Sequence, residues 1–190
     1  MIIDISQEIL SCKVYPGDPE PVAEKICDME KGEVYNLTAF SMCAHNGTHV
    51  DAPAHFLKDG KTIDEISLDY FVGDCYVARA EGMLSAADAE TILVAAKGIE
   101  RILLAGDLTV TADAARIFAE AGMKLLGNES QSVGPEDAPM EVHKILLEAD
   151  VILLEGIVLK DVEEGKYFLN AAPLNIAGCE GAPCRAYLIE

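Results

Sequence analysis

Three of the four histidines of this 190-residue chain fall within eleven residues: His45-Asn46-Gly47-Thr48-His49-Val50-Asp51-Ala52-Pro53-Ala54-His55. Imidazole is the commonest metal ligand, and it titrates near neutrality without help from its surroundings. Three imidazoles with a carboxylate between them can hold a divalent ion and move a proton. His45, His49, Asp51 and His55 share one parity, so an extended chain would project all four to one face. Extension alone fails, because four residues of strand separate His45 from His49 by about 13 Å, whereas ligand atoms lie about 2.0–2.2 Å from a zinc-like ion. The chain must bend between them, and Gly47 at the midpoint is the residue that permits it. A helix carrying His45 and His49 at i, i+4 is the other way to bring the rings together. Gly47, Thr48, Val50 and Pro53 argue against that helix. A kinked strand or loop is therefore expected, on which His49 and Asp51 can share a metal with little distortion.

Two further residues matter. His143 lies on a predicted helix and, taken alone, reads as an ordinary helix histidine. Glu155 follows the apolar run Val151-Ile152-Leu153-Leu154, at the end of what should be a buried strand. A carboxylate there costs several kcal/mol unless it is paired. The closest basic residue downstream is Lys160, so a bound cation is a candidate partner.

The elements that must position these residues are legible in outline. Ile2–Ile5 is a short apolar run, and Tyr15-Pro16-Gly17-Asp18-Pro19 is a turn or loop. Tyr35–Met42 alternates at period two, the pattern of a half-buried strand. Tyr70–Ala80 is another strand. Ser85, with Asp88 three residues on, caps a helix over Ala86–Lys97 that Gly98 ends. Arg101–Ala105 is a buried strand. Thr111 caps a helix through Ala121, Met123–Leu126 is a short strand, and Pro139 opens a third helix through Ala149. Val151–Leu154, Lys166–Leu169 and Arg185–Ile189 complete the strands. Strands apolar on both faces and bracketed by helices predict an α/β protein whose sheet is covered by helices, with a strand-rich first half.

Length and the absence of a linker, repeat or charge block predict one domain over 1–190. With 33 acidic against 14 basic residues, a net charge of −19, the chain is ill-suited to nucleic acid or anionic membrane. A small-molecule substrate is the expected partner. The start, Met1-Ile2-Ile3-Asp4-Ile5-Ser6, lacks the basic and apolar regions of a signal peptide, and no stretch approaches a membrane span. A cytoplasmic location is expected, with Cys12, Cys27, Cys43, Cys75, Cys179 and Cys184 as reduced thiols.

The motif His45-x-Gly47-Thr48-His49-x-Asp51-x-Pro53-x-His55 resembles the signature of the cyclase / kynurenine formamidase family of metal-dependent hydrolases. The likeness extends along the chain to Pro16-Gly17-Asp18-Pro19, Phe71-Val72-Gly73, Leu125-Leu126-Gly127 with Ser132-Val133, and Pro173-Leu174 through Gly178, Gly181, Pro183 and Arg185. It implies a swivelling β/β/α fold with a barrel-like mixed sheet flanked by helices, in homodimers or larger oligomers. It implies that His45, His49 and Asp51 bind metal and that His55 transfers a proton. His143 and Glu155, twelve residues apart, would complete a site for two divalent ions, zinc or manganese. The implied reaction is hydrolysis of an amide, imide, formamide or lactone. A cyclase or lyase using the same metals, and a metal-binding protein without turnover, stand as alternatives. Two positions depart from the formamidase pattern. Tyr15 occupies the place of a Trp near the substrate, where it can stack on an aromatic ligand, and Glu129 stands where Asp is expected.

Overall fold

A computed structural model describes residues 1–190. In chain order its elements are β1 (Ile2–Asp4), β2 (Val22–Cys27), β3 (Leu37–Ser41), β4 (His49–Asp51), β5 (Val72–Arg79) and β6 (Gly82–Leu84). Then come α1 (Ala86–Ala96), β7 (Arg101–Ala105), β8 (Leu108–Val110), α2 (Ala112–Glu120), β9 (Leu125–Asn128) and α3 (Met140–Glu148). The chain closes with β10 (Ile152–Glu155), β11 (Gly165–Asn170), β12 (Gly181–Pro183) and β13 (Tyr187–Ile189). Nine strands form one mixed sheet in the order β1-β13-β11-β5-β7-β9-β10-β4-β12. Its centre, β5-β7-β9-β10, is parallel, and its flanks are antiparallel. The helices cross between the parallel strands, as parallel pairing requires.

Alternation within the central strands separates two cores. Leu103, Leu125, Ile152 and Leu154 point inward with Val50 of β4, Ala182 of β12 and Leu188 of β13. Residues from both flanks of the sheet thus share one core, so the sheet curls into a half-barrel. Ile102, Leu104, Leu126 and Leu153 point outward, against Ala89 and Ile92 of α1, Phe118 of α2 and Leu146 of α3. Parity then dictates where the site must lie. Leu153 pairs with Asp51 and Glu155 with His49. Val50 faces the inner core, so His49, Asp51 and Glu155 face the helix side, where α3 carries His143.

The helix starts follow the sequence reading. Ser85 and Asp88 form a capping box on α1, Thr111 accepts from Ala114 N on α2, and Pro139 is the N-cap of α3. Two expectations need correction. The strand at Tyr35–Met42 is real over Leu37–Ser41 but not half-buried: it pairs only with β2, and both strands of that arm are exposed apart from Cys27. Its alternation reflects β propensity rather than a buried face. The strand placed at Met123–Leu126 runs over Leu125–Asn128. Glu155 ends a buried strand as expected, and it is that strand's last paired residue. No helix is long and apolar enough to cross a membrane.

Candidate metal centre

The His45–His55 segment folds by the bend its glycine allows. Gly47 has φ +64°, and the chain straightens only at β4. Thr48 fastens the turn from behind: its hydroxyl donates to Gly156 O at 2.6 Å and accepts from Gln7 N at 2.9 Å. Gly156, just beyond β10, has φ +67°, and a Cβ there would lie 2.4 Å from Gly47 O. The two loops that flank the candidate ligands therefore meet backbone to backbone, which glycine alone permits. Past Asp51, Pro53 opens a 3-10 turn over Pro53–His55, which swings His55 back beside His45, with ring centroids 4.1 Å apart.

Every histidine in the chain turns a ring nitrogen toward Asp51. His45 Nδ1 lies 2.8 Å and His49 Nε2 3.5 Å from Oδ1, while His143 Nε2 lies 3.7 Å and His55 Nε2 4.0 Å from Oδ2. Glu155 faces two of the same rings, with Oε2 3.6 Å from His49 Nε2 and Oε1 3.4 Å from His143 Nε2. Its Oε1 also accepts from Val133 N at 2.7 Å. Asp51, His49, His143 and Glu155 are all buried. The sequence-predicted set of His45, His49, Asp51, His55, His143 and Glu155 is thus brought together in one place.

The donor set fits a divalent cation. His49 Nδ1 sits 3.0 Å from Gly47 O and His143 Nδ1 2.9 Å from Pro139 O. Those carbonyls take the Nδ1 protons and leave each neutral ring with its Nε2 lone pair aimed at the carboxylates, the arrangement of a metal-bound histidine. A lone pair facing a carboxylate is repulsive unless a proton or a metal lies between them. Asp51 Oδ2 is buried without a hydrogen-bond partner, a costly state for a carboxylate oxygen that a cation resolves. His45 and His49 stand on Oδ1 of Asp51 and His143 on the Oδ2 side, while Glu155 reaches both, with Oε2 toward His49 and Oε1 toward His143.

Protonation in the metal-free protein follows. Burial opposes charge on His45, but the Asp51 hydrogen bond and charge win and raise it to about 9. His49 and His143 are raised for the same reason, each held up against burial by Glu155 and Asp51. Burial pushes Asp51 up, but His45 and its neighbours hold it well below the usual carboxylate range. Glu155 is also lowered, because His143 and His49 outweigh burial and repulsion from Asp51. His55 goes the other way: burial lowers it, and the cationic neighbours His45 and His143 reinforce burial against the pull of Asp51. It is the most exposed of the four rings, its side chain 27% accessible.

These shifts set a pH dependence for metal-free stability. His45 is raised from 6.5 to about 9 in the fold, so its contribution is complete below pH 6.5 and is lost as pH rises through about 9. At about 1.4 kcal/mol per unit this is on the order of 3 kcal/mol, and His49 and His143 act in the same sense. Asp51 and Glu155 are lowered, so their contribution is present above their unfolded values and lost in acid. Chelator-treated protein should be most stable between about pH 5 and 6.5 and should melt several degrees lower at pH 9. A melting temperature that stays flat from pH 6 to 9 would contradict these assignments.

A cavity of about 200 Å³ opens onto the cluster, lined by His45, His49, His55, His143 and Glu155 together with Tyr15, Asp18, Phe56, Gln131, Ser132 and Pro139. Tyr15 forms part of its wall, with its hydroxyl donating to Glu136 O at 2.7 Å. Glu129 is absent from this lining: its carboxylate accepts from Gly106 N at 2.8 Å and Leu159 N at 2.7 Å. It ties two loops together away from the cavity wall. Sequence reasoning missed Glu180, whose Oε1 lies 3.3 Å from His45 Nε2. Only the pairing of β12 with β4 brings that residue to the site, and nothing local in the sequence marks it. Ser132, buried with an unpartnered hydroxyl, falls within the segment that carries the family likeness.

A curled mixed sheet, covered by helices on one side and carrying a buried His/Asp/Glu cluster on that side, defines a class that comparison makes specific. The family model Cyclase matches residues 3–107, and the chain belongs to the cyclase family. It is 34% identical over 203 residues to the kynurenine formamidase of Erythrobacter litoralis, covering 100% of this chain and 94% of that protein. A solved structure described as a "Potential Metal-Dependent Hydrolase With Cyclase Activity" superposes with a TM-score of 0.84 at 29% identity, covering 99% of this chain and 96% of the other. Isatin hydrolase A from Labrenzia aggregata shares the fold, with a TM-score of 0.87 at 21% identity over 99% of this chain and 93% of its own.

Proposed function

We propose that the protein is a metal-dependent hydrolase that cleaves a C–N bond in an amide, formamide or cyclic imide; its 34%-identical relative is named a kynurenine formamidase. The convergence of four histidines on the buried carboxylate of Asp51, with the buried Glu155 facing two of the same rings, carries this reading. His45, His49 and Asp51 would hold one divalent ion, and Asp51, His143 and Glu155 a second, zinc or manganese in each case. Bound ions would supply Lewis-acid polarisation of the substrate carbonyl and a water more acidic than bulk.

The chain's own residues do the rest. Asp51 and Glu155 fix the ligand rings, and the carbonyls of Gly47 and Pro139 fix their tautomers. The His55 ring, held largely neutral by burial, takes a proton from the attacking water and returns it to the leaving nitrogen. The balance is that of hydrolysis: water oxygen bonds to the acyl carbon, the C–N bond breaks, and the nitrogen leaves protonated. Phe56 and Tyr15 supply the cavity's aromatic surface, which suits a planar or aryl substrate.

The test is a screen of zinc- or manganese-loaded protein against N-formylkynurenine, isatin, cyclic imides and lactones, run in ¹⁸O-labelled water. Turnover of a C–N substrate with one solvent oxygen in the product acid, and about two metals per chain by elemental analysis, is expected. A product without label would replace this reading with a cyclase or lyase. Turnover confined to lactones would remove the C–N assignment.

A further inference from the structure

A ligand histidine that binds metal through one ring nitrogen needs an acceptor for the proton on the other, and that acceptor sets both tautomer and orientation. His49 and His143 find theirs in the backbone, at Gly47 O and Pro139 O. His45 has no such carbonyl. Its Nδ1 faces Asp51 Oδ1 at 2.8 Å, and its Nε2 faces Glu180 Oε1 at 3.3 Å. His55, the ring assigned to proton transfer, has no ring-nitrogen hydrogen bond at all; its closest carboxylate oxygen is Asp51 Oδ2 at 4.0 Å.

The segment that carries Glu180 is shaped around the His45 ring. Ala52 N donates to Glu180 O at 2.8 Å, and β12 continues that pairing, with Gly181 opposite Asp51. A Cβ on Gly181 would lie 2.8 Å from both His45 Cε1 and Val50 O, so the ring lies against bare backbone. The other carboxylate oxygen of Glu180 accepts from Cys179 Sγ at 3.6 Å, which steadies its direction. Glu180 and Gly181 thus hold the ring from two sides, 135 residues away in sequence.

We infer that Glu180 is a positioning residue for the metal centre: its carboxylate accepts the Nε2 proton of His45 and so presents Nδ1 toward Asp51 as a ligand. This rests on the metal-centre reading above and assigns Glu180 no contact with substrate. Its half-exposed side chain makes substitution compatible with folding.

The experiment is competition for Zn²⁺ between the full-length protein and a chelating dye, with thermal unfolding of the metal-free form alongside. Glu180→Ala should weaken Zn²⁺ affinity about 10–100-fold while leaving the metal-free melting temperature within a few degrees of wild type. Glu180→Gln, which keeps an acceptor oxygen, should recover most of that loss. In a His45→Ala background, Glu180→Ala should cost nothing further, because the two residues act as one unit. Wild-type affinity in Glu180→Ala, or a full additional loss in the His45→Ala background, overturns the role. Wild-type protein that takes up no Zn²⁺ overturns the metal-centre reading and this one with it. Tight uptake without hydrolysis of any amide overturns the proposed reaction alone.

Discussion

His55→Ala should lower kcat on the C–N substrate by about 10²–10⁴ and leave the metal content of the protein unchanged. The two halves of that result come from different observations. Metal retention follows from what the other rings have and His55 lacks. His45, His49 and His143 are each fixed at both nitrogens, by carboxylate or carbonyl. His55 only approaches Asp51, at 4.0 Å, so removing it takes no necessary donor from the cluster. The kinetic loss follows from position and charge. The ring lines the cavity, is the most accessible of the four, and is lowered by burial against its partly compensating attraction to Asp51. A ring that is neutral near pH 7 can accept a proton as water attacks and give it back as nitrogen leaves. Single-turnover kinetics with elemental analysis on the same preparation check both halves. Wild-type kcat would remove the proton-transfer role. Loss of metal together with activity would make His55 a ligand, an assignment its closeness to His45 and Asp51 keeps open to test.

Much of this site is legible in the chain because its chemistry is concentrated in it. Parity alone puts His49 and Asp51 on one face of a strand, and the distance argument requires a bend at Gly47, where φ is +64°. A carboxylate ending an apolar run marks Glu155. Its pairing with His49 across β10 and β4 could not be read, because strand neighbours follow from three-dimensional topology and β4 is only three residues long. The same limit hides Glu180, which reaches His45 through the short strand β12. The helices were read well because caps and breakers are local: Ser85 with Asp88, Thr111 and Pro139 each act within one turn. The β2–β3 arm misled because period-two alternation reports a strand without saying that anything packs on it. The family likeness of the motif supplied the division of labour between His55 and the ligands, which spacing alone did not determine.

Asp51→Asn tests the centre of the arrangement, since one carboxylate faces all four rings. The amide keeps the shape and removes the charge. If the proposed ligand set holds, metal affinity should fall by well over the about 10–100-fold that the loss of an outer partner costs, because Asp51 would itself be a ligand. Two effects compete in the metal-free protein. The variant loses the ion partner that raises His45 to about 9, and breaking a buried pair costs about 3–5 kcal/mol. It also relieves the repulsion that Asp51 exerts on Glu155. The pair should dominate at pH 6, where His45 is charged: its nitrogen is 2.8 Å from Asp51, and His49 and His143 face both carboxylates and offset their mutual repulsion. A fall of about 6–12 °C in melting temperature at pH 6 is expected for about 3 kcal/mol in a chain of this size. As pH rises through about 9 His45 loses its charge in the wild type as well, so the deficit should shrink or reverse as the relief of repulsion takes over. Melting curves at pH 6 and pH 9.5, with zinc per chain measured on both proteins, decide it. A deficit equal at the two pH values would show that Asp51 stabilises the fold by shape rather than charge, and wild-type zinc content in the variant would remove Asp51 from the ligand set.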